Sequence, residues 1–211
     1  MKQRVMCFGD SNTYGYDPRS PLGERYSAEE RWTGILNQSP RWEILNYGEN
    51  GREIPDESDL RFYLSDLLCS CGALDGMVVM LGTNDLLHYG GRTAAEVADR
   101  MEAFLRALLR LDGLRLAGTR LLLVSPPAMA AGTWVTDRSV LEQSALLGDC
   151  YRRAAERLGV AFADAARWNV ALSYYGVHFT PAGHRTFAGH MEAELARCLL
   201  ERDLPSEVLV P

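Results

Sequence analysis

The sequence predicts an α/β fold in which a parallel sheet of about five strands lies between layers of helices. Two observations carry that expectation. Along the 211 residues, short apolar runs alternate with amphipathic helical patterns, the arrangement that builds βαβ units. Most of those runs also lack polar alternation, as strands covered on both faces do.

Taken in order, the first strand is Val5-Met6-Cys7-Phe8, which stops at Gly9-Asp10-Ser11, a turn-forming sequence. The second is Glu43-Ile44-Leu45-Asn46, leading to Gly51. The third, Met77-Val78-Val79-Met80-Leu81, runs into Gly82-Thr83-Asn84-Asp85. A helix follows that places Val97, Met101, Phe104, Leu105, Leu108 and Leu111 on one face. Leu121-Leu122-Leu123-Val124 and Val160-Ala161-Phe162 are the fourth and fifth strands. The last helix begins at Thr180-Pro181, an N-cap followed by proline at the first helical position, and carries Phe187, Met191 and Leu195 four apart.

Composition narrows the function classes. Residues 1–211 read as one domain, and 47% apolar residues suffice for a substantial core. A net charge of −6 with no basic stripe argues against a nucleic-acid partner. No stretch approaches the length of a membrane span. The apolar run near the N-terminus stops after four residues, too short for a signal-peptide core, so a cytoplasmic location is expected. The five scattered cysteines, Cys7, Cys69, Cys71, Cys150 and Cys198, read as free thiols rather than a metal or disulfide set. No metal is expected, and a homo-oligomer is left open.

The architecture places chemistry. Ligands of open parallel sheets sit beyond the carboxyl ends of the strands, near the point where strand order reverses. Ser11 follows the first strand, Gly51 the second and Asn84 the third, while His178 lies between the fifth strand and the last helix. All four should therefore face one crevice. A serine hydroxyl needs a neighbouring base to become a nucleophile, and His178, with an ordinary pKa near neutrality, suits that role. The backbone N–H groups of Ser11 and Gly51 and the side-chain amide of Asn84 can form an oxyanion hole. Each residue alone has a plain structural explanation as a turn or cap; their joint placement is what points to catalysis. His88, His184 and His190 have milder explanations.

At this point the blocks Gly9-Asp10-Ser11-Asn12-Thr13, Asn46-Tyr47-Gly48-Glu49-Asn50-Gly51-Arg52, Gly82-Thr83-Asn84-Asp85 and Gly176-Val177-His178-Phe179-Thr180 become recognisable. The chain resembles the SGNH hydrolases, or GDSL esterases, from about residue 3 to 200. It looks closest to their bacterial arylesterase-like branch through Cys7-Phe8-Gly9-Asp10-Ser11, Arg31-Trp32-Thr33-Gly34 and Ser125-Pro126-Pro127. The resemblance implies a flavodoxin-like three-layer α/β/α sandwich, no cofactor, and ester hydrolysis through an acyl-enzyme. It places the nucleophile on Ser11, the oxyanion residues on Ser11, Gly51 and Asn84, and the base on His178. Gly48 is then a turn glycine. The expected substrate is a short acyl ester, such as an acetyl group on a sugar or small alcohol, with Tyr14, Tyr16, Met129 and Trp134 as candidate pocket walls.

One position departs from the family pattern Asp-x-x-His: here it reads Tyr175-Gly176-Val177-His178. Asp164 is the nearest upstream acid and a possible substitute. A main-chain carbonyl can hold the imidazole tautomer as a carboxylate does, so the expectation is a Ser11–His178 dyad oriented by the carbonyl of Tyr175. Two other readings stay open: a degenerate member kept as a binding protein, and a mononucleotide-binding loop at Gly9–Thr13. The second lacks the glycine pattern of phosphate-binding loops.

Overall fold

The computed structural model of the chain describes residues 1–20, 22–56, 63–88 and 91–201. One sheet contains β1 (Gln3–Gly9), β2 (Trp42–Gly48), β3 (Gly76–Met80), β4 (Arg120–Ser125) and β5 (Ala161–Asp164). Its spatial order is β2-β1-β3-β4-β5, with every pairing parallel. The chain moves outward from β1 to β2 and returns to the far side of β1 for β3, so strand order reverses between β1 and β3. That is the switch point where an α/β sheet opens a crevice.

Alternate side chains along each strand feed two separate cores. Met6, Phe8, Met77, Val79, Leu121 and Leu123 pack beneath α3 (Ser65–Cys71), α5 (Ala94–Leu108), α6 (Asp112–Arg115) and α7 (Arg138–Leu158). Val5, Cys7, Val78, Met80, Leu122 and Val124 pack against α2 (Trp32–Asn37) and α8 (Pro181–Leu199). Burial on both faces is why these strands read as unbroken apolar runs. Two short helices, α1 (Ser11–Tyr14) and α4 (Thr83–Leu87), leave the ends of β1 and β3.

The helix signals hold with one adjustment. Thr93 and Glu96 form a reciprocal capping box at the start of α5, which buries Val97, Met101, Phe104, Leu105 and Leu108. Leu111 lies beyond its end and only packs against the margin of the core. At α8, Thr180 Oγ1 accepts from the Gly183 N–H at 3.0 Å, and Phe187, Met191 and Leu195 are buried. Truncating any of these three to alanine should cost about 2–5 kcal/mol, so α8 firmly anchors the loop that precedes it.

Candidate active site

β1 ends in a turn with no room for side chains. A Cβ on Gly9 would lie 2.1 Å from Thr13 Oγ1, and one on Gly48 would lie 2.0 Å from the Tyr14 nitrogen. Gly48 is therefore not a turn glycine; it is the last residue of β2, and close backbone approach is what demands glycine there. Asp10 caps α1 by accepting from the Asn12 N–H at 2.9 Å. Its burial pushes the carboxyl up to about 6, against the opposing pull of Arg52. Asn46 donates to the Thr13 carbonyl and to Thr33 Oγ1, both at 2.7 Å. The Arg52 guanidinium lies 4.2 Å over the Phe8 ring and donates to the carbonyls of Gly9, at 2.9 Å, and Tyr47. Ser11 is thus the first residue of a short helix whose base is fastened from three directions. Its N–H is one of those a helix start leaves without an intrahelical acceptor.

His178 meets that turn. Its Nε2 lies 3.0 Å from Ser11 Oγ, and both residues are buried. The contact spans 167 residues of sequence, and Asn12 secures it from below. The Asn12 amide donates to the Val177 carbonyl at 3.2 Å and accepts from the Phe179 N–H at 3.0 Å, gripping the chain on both sides of His178. Trp32 Nε1 donates to the Asn12 carbonyl at 3.0 Å. Sequence reasoning passed over Asn12 as part of a turn motif, because no local signal reveals a partner so far along the chain.

The oxyanion candidates converge on the same strand ends. Asn84 Nδ2 donates to the Arg52 carbonyl at 2.9 Å, which fixes the amide and leaves its second hydrogen for a ligand. Gly51 is exposed, has φ 76°, and a Cβ there would meet nothing within 4 Å. Left-handed backbone, rather than space, calls for glycine at that position. Asp85 ties α4 to the segment after Gly51, accepting from the Ile54 N–H at 3.0 Å and pairing with Arg100 Nε at 3.1 Å.

Two expectations about the base are overturned. The carbonyl of Tyr175 does not orient His178: it accepts from the Trp134 N–H at 3.4 Å, and among the described residues the buried Nδ1 of His178 has no hydrogen-bond partner. Asp164 is no substitute either. Its carboxylate is taken by Ser125 Oγ at 3.0 Å and Arg167 Nε at 2.9 Å, at the end of β5. What surrounds the imidazole is aromatic: ring centroids of Tyr16, Trp134 and Tyr175 lie 4.5, 5.3 and 6.4 Å away. Burial pushes the His178 pKa down to about 4.

Of the four candidate wall residues, Tyr16 and Trp134 reach the site. Tyr14 faces the Arg25 guanidinium at 4.5 Å, and Met129 is buried in the core. His88 pairs with Glu53 at 2.6 Å, His190 stacks on Trp168 at 5.0 Å, and His184 is buried between Tyr26 and Phe179. All five cysteines are free. Among the described residues, no group of three or more His, Cys, Asp or Glu is placed to hold a metal ion. No helix among them is long and apolar enough to cross a membrane.

Comparison with known proteins places the sequence and the fold among ester hydrolases. The model of the GDSL-like lipase/acylhydrolase family matches residues 7–186. The native aryl esterase of M. smegmatis is 31% identical, with 93% of this chain and 99% of that one covered, at a TM-score of 0.80. A carbohydrate acetylesterase from Sinorhizobium meliloti, Est24, is 28% identical, with 93% and 99% covered and a TM-score of 0.79. No curated protein matches the chain.

Proposed function

The chain belongs to the GDSL-like lipase/acylhydrolase family and is a carboxylic ester hydrolase; within that class we propose that it removes short acyl groups, acetyl above all, through an acyl-enzyme on Ser11. The observation that carries this reading is the 3.0 Å contact between Ser11 Oγ and His178 Nε2.

The reaction divides into two halves. His178 Nε2 takes the hydroxyl proton while Ser11 Oγ bonds to the ester carbonyl carbon, and the carbonyl oxygen becomes negative. The N–H groups of Ser11 and Gly51 and the free amide hydrogen of Asn84 are the donors for that oxygen, an effect worth about 3–4 kcal/mol for a single donor in a serine protease. The bond to the alcohol then breaks, and the same proton passes from His178 to the departing oxygen. In the second half water attacks the acyl group, His178 again accepts and returns a proton, and the carboxylic acid leaves with Ser11 restored.

Substrate preference follows from what flanks the base. Trp134 and Tyr174 are exposed, and Trp134 stacks on Tyr175 at 4.7 Å. Flat faces of this kind suit an aryl or sugar alcohol more than a long lipid. Two solved relatives support that choice, one an aryl esterase and one a carbohydrate acetylesterase. The absence of disulfides among five cysteines favours a reducing compartment, so we place the enzyme in the cytoplasm.

The test is a panel of p-nitrophenyl esters of increasing chain length with Ser11→Ala alongside. Acetate and butyrate should turn over fastest, and Ser11→Ala should fall by roughly 10⁴ or more. A wild-type protein inert to the panel and unlabelled by diethyl p-nitrophenyl phosphate at Ser11 would instead fit a binding protein on the same fold.

A further inference from the structure

We propose that Tyr16 and Trp134 are positioning residues that replace the missing carboxylate, holding the His178 imidazole and stabilising the charge it gains from the Ser11 proton. The inference rests on the esterase reading above. A triad carboxylate has two tasks, fixing the ring and favouring the imidazolium. Nothing polar does either task at Nδ1 here, since that atom is buried and unpartnered.

Two rings lie within reach of the imidazole. Tyr16 lies 4.5 Å from the imidazole at 40°, and Trp134 lies 5.3 Å away nearly perpendicular, at 78°. A cation within about 6 Å of an aromatic face is attracted by its quadrupole, most strongly by tryptophan and most of all when desolvated. His178 is only 5% exposed. The two walls are also tied together. Tyr175 stacks on Trp134 at 4.7 Å, and its hydroxyl donates at 3.0 Å to the carbonyl of Pro18, two residues from Tyr16. A Cβ on Gly132 would lie 2.4 Å from the Tyr175 carbonyl carbon, so glycine there lets the Trp134 loop close onto Tyr175. The residue that took the carboxylate's position thus braces both rings.

Ser173, paired with His178 through the backbone, is the polar control. Its hydroxyl is also buried and unpartnered, and the Ser173 N–H donates to the His178 carbonyl at 2.7 Å. The adjoining Leu172–Phe179 bridge sets residues 173 and 178 opposite each other.

The experiment compares Tyr16→Leu, Trp134→Leu and their double variant with Tyr16→Phe, Trp134→Phe and Ser173→Ala, each checked by circular dichroism. Two readouts are taken: kcat and KM for p-nitrophenyl acetate, and the rate of inactivation by diethyl p-nitrophenyl phosphate. Each leucine variant should lose roughly tenfold in kcat and the double about a hundredfold, beyond any rise in KM that Trp134→Leu brings by removing its face from the aryl leaving group. Inactivation should slow in parallel, because it needs the same base. The phenylalanine variants should recover most of the loss, and Ser173→Ala should stay near wild type. Leucine variants with normal kcat, a loss confined to KM, or a collapse in Ser173→Ala would each overturn the proposal. A wild type inert to both reagents would remove it together with the esterase reading, and that outcome is visible before any variant is made.

Discussion

The nucleophile turn and the base loop meet at a single 3.0 Å contact, but the two sides are built from different interactions. Ser11 sits on a turn fastened by directional polar bonds from Asp10, Asn46 and Arg52. Among the described residues, the His178 ring makes one hydrogen bond, with Ser11, and is flanked by the rings of Tyr16 and Trp134. Polar bonds specify position sharply and are costly to break when buried. Aromatic enclosure is broader and tolerates small movement. The contrast locates the tightly specified part of the site on the serine side and the adjustable part on the histidine side.

Asn12 is where the polar side reaches across, and its removal should have the largest effect. Asn12→Ala leaves the Val177 carbonyl and the Phe179 N–H without their partner. Each buried orphan costs about 1–3 kcal/mol, so urea unfolding should show a loss of about 2–5 kcal/mol. Because His178 lies between those two bonds, kcat should also drop roughly a hundredfold, as expected when a catalytic group moves by about 1 Å. If stability falls but kcat does not, the ring side alone positions the base and the contrast is wrong.

This division also explains what could be read in the sequence. All five strands, the apolar face of α5 and the capped start of α8 were visible, because apolar periodicity and caps are local signals. The meeting of Ser11 and His178 could be expected from topology alone, since strand ends of a parallel sheet share one edge. The partner of Nδ1 could not. It depends on where the 129–135 loop turns the Tyr175 carbonyl, and the Trp134 N–H that claims it lies forty residues from the motif. Gly48 was misread for a similar reason, since a glycine demanded by a distant backbone looks the same in sequence as one demanded by a turn.

The pH dependence of stability probes the ring side next. His178 has an ordinary pKa of 6.5 and is held down to about 4 in the fold by burial. Between those values the unfolded chain binds a proton that the folded chain refuses. Stability from this group is therefore complete above about pH 6.5, is lost as pH falls through the window, and levels off below about 4. The full loss is on the order of 3 kcal/mol. His184, pushed down to about 3, adds a similar slope, so the measurement is the difference between wild type and His178→Gln in urea titrations from pH 7 to 4. Equal slopes would mean that a polar partner supports the imidazolium after all. The same depression puts the acid limb of kcat/KM below pH 6.

Tyr175→Asp gives the smallest change and the one whose sign is most telling. The substitution restores the family's carboxylate three residues before His178, the position from which it can reach an Nδ1 that now has no acceptor. It also removes the ring beneath Trp134 and the hydrogen bond to Pro18. A charge-assisted bond to the imidazolium is worth about 1.5–3 kcal/mol, against about 0.5–1.5 kcal/mol for an aromatic pair. The net expectation is a gain of about tenfold in kcat with a modest fall in melting temperature. A decrease in kcat in a folded variant would show that Tyr175 braces the ring wall more effectively than an aspartate could replace it, and that the histidine side is as tightly specified as the serine side.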